Sequence, residues 1–263
     1  MRSEQGNVDF EGWVVPLEAA AISPAFVPIV DDAVAAVTAV LSGSLHSLYL
    51  YGSVPRGTAR VAVSDLDMLA CLSAAPMPGD HAVLANVARD LSKRYAGVVR
   101  EVGIGVTHVA DVVTDPNGLG FFLKVLCICV HGQDLRRGLP RFRPTPAVAL
   151  ALNGDVDEVL SGYERRLEDA LTEENHRRLV GAACRKIIRS AFGMVMARSR
   201  SWTPDREEAA QVFLHYFPEW SGEMQQTLQW ASGAPASRDE ALALLHGFGV
   251  WVRENFEAEA RVT

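Results

Sequence analysis

Residues 48–72 read LYLYGSVPRGTARVAVSDLDMLACL, and this stretch sets the expectation for the fold. Its first apolar run ends at Gly52 and Ser53, and its second begins at the acidic residues Asp65 and Asp67. The intervening segment contains proline and glycine, which are typical of turns. Two apolar runs separated in this way predict two β-strands joined by a loop.

The residue types around this loop point to phosphate and metal binding. Successive strand side chains point to opposite faces, so Asp65 and Asp67 share a face. Mg²⁺ is usually held by one or two carboxylates together with phosphate oxygens and waters, so this pair predicts a Mg²⁺ site opposite a bound triphosphate. Glycine lets backbone N–H groups approach phosphate oxygens, and serine hydroxyls can donate to them. The candidate nucleotide-binding residues of the segment are Gly52, Ser53, Arg56 and Ser64.

An Asp-x-Asp pair alone is a weak pattern, because it is usually a solvated strand edge. Asp155 and Asp157 have the same spacing, but they precede a helix-like stretch, and we interpret them as a helix start that favours negative charge. Asp65 and Asp67 lie instead among apolar residues, where carboxylates are unfavourable without a cation or hydrogen bonds. Their context therefore favours a metal site.

The run G-S-x-x-x-G followed by S-D-x-D resembles the signature of the DNA polymerase β-like nucleotidyltransferase superfamily. Within it, the chain most resembles the streptomycin/spectinomycin-type aminoglycoside adenylyltransferases. The matching residues are Gly52, Ser53, Gly57, Ser64, Asp65 and Asp67. The resemblance implies an α+β fold, with a nucleotidyltransferase domain built on a small mixed sheet flanked by helices and followed by an all-α helical bundle.

The same resemblance implies a reaction. A Mg²⁺-dependent enzyme, with two ions, would transfer AMP or another NMP from ATP or another NTP to a hydroxyl of a small molecule, such as an aminoglycoside antibiotic, and release pyrophosphate. Asp65 and Asp67 would be the catalytic metal ligands. Two alternatives stay open: the acceptor is a protein or a tRNA, or the chain is a nucleotide-binding module without catalysis.

Nucleotidyl transfer also needs a carboxylate that accepts the proton of the attacking hydroxyl or binds a second metal. The resemblance places this acid on the third strand, and Glu101, at the start of residues 101–106, matches that pattern. A salt bridge of Glu101 with Arg100 or Arg56 is the alternative interpretation. Asp111, which is followed by two apolar residues, competes for the role of third acid.

Arginines supply candidate ligands for the triphosphate. Arg178, Arg185 and Arg189 recur at helical spacing, a pattern that is most often a solvated basic face. The resemblance implies that an arginine of this helix contacts phosphate, with Arg185 as the local match and Arg189 as an equal candidate. Arg206 stands near the position of a family lysine, at the start of a helix that we expect Thr203 to cap.

Three prolines in residues 139–146, LPRFRPTP, exclude regular interior structure and predict the domain boundary. We therefore expect a nucleotidyltransferase domain at 1–143 and a helical C-terminal domain at 144–263. Periodicity predicts a third strand at 98–106 and helices at 24–43, 79–96, 119–130, 147–171, 174–199, 204–216, 221–231 and 238–257. A capping box of Ser237 and Glu240 begins the last helix.

Composition narrows the class of protein. A net charge of −7 makes a general nucleic-acid-binding surface an unfavourable interpretation and permits a cationic acceptor. The four cysteines lie in apolar runs without C-x-x-C spacing, which predicts buried thiols and disfavours a zinc site. The N-terminus lacks an apolar signal core, and no stretch approaches transmembrane length. We expect a cytoplasmic protein that is a monomer or a weak dimer and does not bind membranes.

Overall fold

The computed structural model describes residues 7–18, 22–170 and 172–263, which form two compact units. The sheet unit spans Pro16–Pro140, and the helical unit combines Arg141–Thr263 with the described part of Met1–Val15. The predicted α+β class is confirmed. The predicted domain division between residues 143 and 144 stays a prediction. Within the described residues, no helix has the length and apolar character needed to cross a membrane.

The sheet unit contains a four-stranded mixed sheet in the order β3-β2-β1-β4. Its strands are β1 (Leu45–Tyr51), β2 (Leu66–Leu72), β3 (Val102–His108) and β4 (Ile128–Gly132). β1 pairs antiparallel with both β2 and β4, whereas β2 and β3 run parallel. The loop between β1 and β2 therefore reverses the chain, so that β2 lies next to β1. These are the two strands joined by a loop that the sequence predicts.

Two helix pairs cover the faces of this sheet. The helices are α1 (Val27–Val40), α2 (Pro78–Arg94), α3 (Val109–Thr114) and α4 (Phe121–Leu126). Side chains of α1 and α2 pack on one face of the sheet, against every second residue of the strands. Side chains of α3 and α4 pack on the other face, against the intervening residues. The residues of the two cores in β2 are Leu66, Met68, Ala70 and Leu72 on the first face, and Leu69 and Cys71 on the second. Both faces are covered, so β2 is buried almost continuously.

The predicted helix at 119–130 is wrong in its second half. A π-helical turn, Pro116–Gly120, leads into α4, and Ile128–Gly132 then forms β4 at the edge of the sheet. A short apolar run does not distinguish helix from strand by its period, and the hydrogen bonds offered by β1 decide in favour of the strand. Similarly, β3 begins at Val102 rather than at residue 98.

The helical unit contains α5 (Pro146–Asn153), α6 (Val156–Glu168), α7 (Glu173–Ser199), α8 (Arg206–Tyr216), α9 (Ser221–Ala231), α10 (Arg238–Leu244) and α11 (Val250–Ala260). The long helix α7 packs against α5, α6, α8, α9 and α11. The predicted helix at 147–171 is two helices, separated at Gly154, and its last residue, Leu171, lies outside the described residues. The predicted capping box of Ser237 and Glu240 is confirmed.

The break between α5 and α6 holds α7 in place through a buried lysine. Asp155 is the N-cap residue of α6, as the sequence predicts. The Lys186 ammonium group donates to Asp155 Oδ1 at 2.5 Å and to Asn153 Oδ1 at 3.5 Å, and its side chain is only 6% exposed. Burial lowers the pKa of Lys186, and Asp155 opposes this shift. This contact fixes the turn of α7 that also contains Arg185 and Arg189.

We expect Asp155→Asn to destabilise the protein by about 1–3 kcal/mol at neutral pH, because it leaves the Lys186 ammonium group buried without its carboxylate. The estimate is below that for a fully buried pair, since the Asp155 side chain is 55% exposed. Urea denaturation measures the change. The double variant Asp155→Asn/Lys186→Met is the control, and it should regain most of the lost stability. Equal stability of Asp155→Asn and the native protein would contradict this account.

Candidate active site

The turn after β1 lies directly against one of the two aspartates. Tyr51, the last residue of β1, pairs with Asp67 in β2. Gly52 follows with φ of +82°, in the left-handed region that favours glycine. A Cβ at Gly52 would lie 2.6 Å from Asp67 Oδ2, so a side chain there would displace the carboxylate. Burial, and after it the charge of Asp67, raises the pKa of Tyr51 to about 12.

The other predicted phosphate-binding residues lie in the loop that this turn begins. The Arg56 Nε donates to the carbonyl of Gly52 at 2.9 Å and thereby closes the turn beside Ser53. The backbone N–H of Arg60 donates to Ser64 Oγ at 2.9 Å. Ser64 therefore orders the loop as an acceptor, while its own O–H group can still donate. All four predicted phosphate-binding residues of this segment therefore lie in the loop between β1 and β2; they are Gly52, Ser53, Arg56 and Ser64.

The parallel pairing of β2 with β3 brings Glu101 to the same end of the sheet as the aspartates. Leu66 pairs with Val102, and the Leu66 N–H donates to the Glu101 carbonyl at 3.0 Å. Glu101 is exposed and immediately precedes β3, whereas the sequence places it inside the strand. Since Val102 and Leu66 both face the core of α1 and α2, continued alternation puts Glu101 on the opposite face, which is that of Asp67.

A glycine of β3 lies next to Asp67. Gly103 is the residue of β3 that pairs with Asp67, and a Cβ there would lie 3.5 Å from Asp67 Oδ1. Any longer side chain at this position would extend over the carboxylate. Sequence reasoning missed Gly103, although a glycine within an alternating apolar strand often marks a close approach by a ligand or another backbone.

The competing acid, Asp111, lies at the other end of β3. It is in the first turn of α3, where its Oδ2 contacts His108 Nδ1 at 2.6 Å and accepts from Thr107 Oγ1 at 3.1 Å. His108 pairs with Leu72, five residues along β2 from Asp67. At about 3.3 Å per residue these positions are separated by about 16 Å along the sheet. The geometry therefore groups Glu101, and not Asp111, with the aspartate pair.

Arg100 binds the first of the aspartates, a contact that sequence reasoning missed. Its Nε donates to Asp65 Oδ1 at 2.9 Å and its Nη2 to Asp65 Oδ2 at 2.5 Å, so the pair is bidentate. The hydrogen bonds to Asp65 raise the pKa of Arg100, burial opposes them, and the charges of Asp65, Glu101 and Asp67 raise it further. One guanidinium group is therefore within electrostatic range of all three acids.

The acids fit a hard divalent cation. Among the described residues, no group of three or more His, Cys, Asp or Glu side chains forms a ready metal cluster. Gly52 and Gly103, however, clear the space on both sides of Asp67, and Asp65 adds a second carboxylate two residues earlier. Two carboxylates with room for waters and phosphate oxygens form the donor set that Mg²⁺ prefers. Asp65 and Asp67 are the residues that would hold such an ion.

In the helical unit, three arginines gather near the end of α9. Arg185 Nη1 and Arg206 Nη1 both donate to the carbonyl of Ala231, at 3.4 and 2.8 Å. Burial, and then the positive charges of Arg185 and Arg206 among its neighbours, lowers the pKa of Arg189. The three predicted triphosphate ligands of this unit are thus within electrostatic range of one another. Such a concentration of positive charge favours an anion.

The cap of α8 differs from the prediction. Asp205, rather than Thr203, is the N-cap, and its carboxylate accepts from the N–H groups of Glu207 and Glu208. The Thr203 hydroxyl instead donates to Glu208 Oε2 at 2.6 Å. Aspartate and threonine are both good caps, and sequence alone does not decide between neighbours. Arg206 is consequently the first residue of the helix.

Comparison with known proteins supports the fold. No family model matches this chain, and no curated protein is significantly similar to it in sequence. Its structure is similar to the crystal structure of the spectinomycin adenyltransferase AAD(9) from Enterococcus faecialis with ATP and spectinomycin. The TM-score is 0.55 at 15% sequence identity, over 89% of this chain and 99% of that one. The two chains share a nucleotidyltransferase-like fold.

We expect Gly52→Ala to destabilise the protein by about 1–2 kcal/mol through its left-handed backbone and to displace the Asp67 carboxylate. Urea denaturation measures the first effect, and calorimetric titration with Mn²⁺ measures weakened cation binding. Gly79→Ala is the matched control, because Gly79 lies in the first turn of α2 with nothing within 4 Å of a Cβ. If both variants were as stable as each other and bound Mn²⁺ equally, the required role of Gly52 would be refuted.

Proposed function

We propose that this protein is a Mg²⁺-dependent nucleotidyltransferase that transfers AMP, or another NMP, from an NTP to a hydroxyl of a small molecule and releases pyrophosphate. The observation that carries the proposal is the Gly52 turn closed against Asp67, with Asp65 and Glu101 at the same end of the sheet. The shared fold with a protein crystallised with ATP and spectinomycin supports an NTP and a small molecule as substrates.

Each candidate site residue of the sheet unit has a proposed role in this reaction. Backbone N–H groups at Gly52 and the hydroxyls of Ser53 and Ser64 bind phosphate oxygens. Asp65 and Asp67 hold Mg²⁺, which neutralises charge on the phosphates when it is bound. Glu101 accepts the proton of the acceptor hydroxyl as its oxygen bonds to the α-phosphorus and the bond to the pyrophosphate oxygen breaks.

We also propose Arg185, Arg189 and Arg206 as ligands of the triphosphate. Guanidinium groups bind phosphate through two parallel hydrogen bonds, and the shared carbonyl of Ala231 holds two of them in place. Arg56 is assigned a smaller part, because its Nε already closes the Gly52 turn.

An aminoglycoside-type antibiotic is the acceptor that we propose. The chain has a net charge of −7, which suits a polycationic acceptor. Antibiotic modification in the cytoplasm by a monomer or weak dimer is the corresponding physiological proposal. A broad acceptor panel that includes spectinomycin, streptomycin and other aminoglycosides tests it by pyrophosphate release in the presence of ATP and MgCl₂.

We expect Asp67→Asn to reduce turnover by about a thousandfold or more, because a lost metal ligand removes several kcal/mol of transition-state stabilisation. Asp157→Asn is the matched control. Asp157 has the same Asp-x-Asp spacing, but it pairs with Arg253 in the helical unit and should leave turnover unchanged. Full activity of Asp67→Asn would refute the metal assignment.

Transfer of a labelled nucleotide, together with calorimetry, separates the alternative functions. Label from [α-³²P]ATP that enters protein or tRNA of a cell lysate, with none in the small molecules, would replace the acceptor while keeping the chemistry. ATP binding by calorimetry without turnover on any acceptor would instead indicate a non-catalytic module.

We expect Arg189→Gln and Arg185→Gln each to raise the KM for ATP by about tenfold, because each removes a charge-assisted hydrogen bond to phosphate. Steady-state kinetics with the acceptor saturating measures the change. Arg177→Gln, an exposed position on the same helix, is the control and should behave as the native protein. Equal KM values in all three variants would show that these arginines form only a solvated basic face.

A further inference from the structure

The contact between Arg100 and Asp65 uses both oxygens of a carboxylate that the proposed reaction needs for a cation. Arg100 donates from Nε to Oδ1 and from Nη2 to Oδ2, and the Asp65 side chain is 26% exposed. A cation bound to either oxygen would lie within a few ångströms of the guanidinium group. Like charges at such a distance repel strongly in a partly desolvated site.

A backbone hydrogen bond, as well as the side-chain contact with Asp65, fixes the position of Arg100. Its N–H donates to the Ser64 carbonyl at 3.0 Å, next to the hydrogen bond from Leu66 N–H to the Glu101 carbonyl. Arg100 therefore stands between the loop residue Ser64 and the third acid, held there by the first rungs of the parallel pair. A long side chain at this position therefore lies next to Asp65.

The surrounding charges also explain why a guanidinium group is stable at this place. Asp65, Asp67 and Glu101 bring three negative charges to one end of the sheet, and Arg100 is within electrostatic range of each. In the metal-free protein it reduces the repulsion among them. A bound divalent cation would supply the same compensation with twice the charge.

We propose that Arg100 is a built-in competitor for the metal: its guanidinium group occupies Asp65 in the metal-free protein and is displaced when a divalent cation binds. This inference rests on the proposed function, since it assigns Asp65 to a metal site. It adds a residue that sets the affinity of that site. Arg100 is a positioning residue here, because it acts on the cation through Asp65.

The test is calorimetric titration of the full chain with Mn²⁺ alone, without nucleotide. Arg100→Gln should bind Mn²⁺ about two- to fivefold more tightly than the native protein, a range set by the worth of a partly exposed ion pair. Arg94→Gln is the matched control. It removes the exposed Arg94–Asp32 pair of the same unit and should leave Mn²⁺ affinity unchanged.

Three further measurements test whether the change in affinity arises from this contact. In EDTA, Arg100→Gln should unfold at a lower temperature than the native protein, and MgCl₂ should raise its Tm by more, because tighter binding gives a larger stabilisation. Arg100→Lys preserves the charge without the two-point contact, so its Mn²⁺ affinity should fall between those of the native protein and Arg100→Gln. In an Asp65→Asn background, Arg100→Gln should no longer change the affinity.

The outcomes separate this inference from the function on which it rests. Mn²⁺ binding by the native protein with equal or weaker binding by both Arg100 variants overturns the competitor role and leaves the metal site standing. Absence of Mn²⁺ binding by the native protein and by every Arg100 variant overturns the competitor role. The proposed function is overturned instead by absence of turnover with ATP, MgCl₂ and the acceptor panel, where phosphate oxygens supply further metal ligands.

Discussion

The parallel pairing of β2 with β3 is the constraint on which the candidate site depends. The hydrogen bond from Leu66 N–H to the Glu101 carbonyl lies at the start of this ladder, and the ladder places residues that are 36 positions apart, such as Leu66 and Val102, side by side. Side chains alternate along a strand, so a slip of one residue would turn Glu101 to the opposite face and move Val102 out of the core. Burial of Val102 with Leu66 therefore fixes the position of the acid through the backbone.

A second constraint is the pair of glycines next to Asp67. Gly52 follows β1 and Gly103 lies in β3, and these two strands flank β2, which contains Asp67. At Gly52 the backbone conformation and the contact with Asp67 both require glycine, whereas at Gly103 the backbone would accept other residues. Neither backbone strain nor a clash requires glycine at position 103. We therefore attribute this glycine to the space that it leaves beside Asp67.

The parts of the site that the sequence predicts are those encoded within one short segment. The strand that ends at Gly52, the loop, and the apolar strand that follows Asp65 all come from residues 48–72, and their periodicity is local. The position of Gly103 beside Asp67, the pairing of Arg100 with Asp65 and the strand β4 all depend on partners far away in the chain. Local patterns do not contain that information, because strand register and edge pairing are decided by packing.

In each unit, side chains of one charge lie near one another, at the place where a ligand of the opposite charge would bind. In the sheet unit three carboxylates are within electrostatic range of Arg100. In the helical unit Arg185 and Arg206 both bind the Ala231 carbonyl, and Arg189 is within electrostatic range of these two arginines. Gathered like charges are unfavourable in the folded chain unless a ligand compensates them. Arg100 and the Ala231 carbonyl provide partial compensation. A divalent cation and a polyphosphate are the ligands that would complete it, and the strength of each internal contact then limits how tightly its ligand binds.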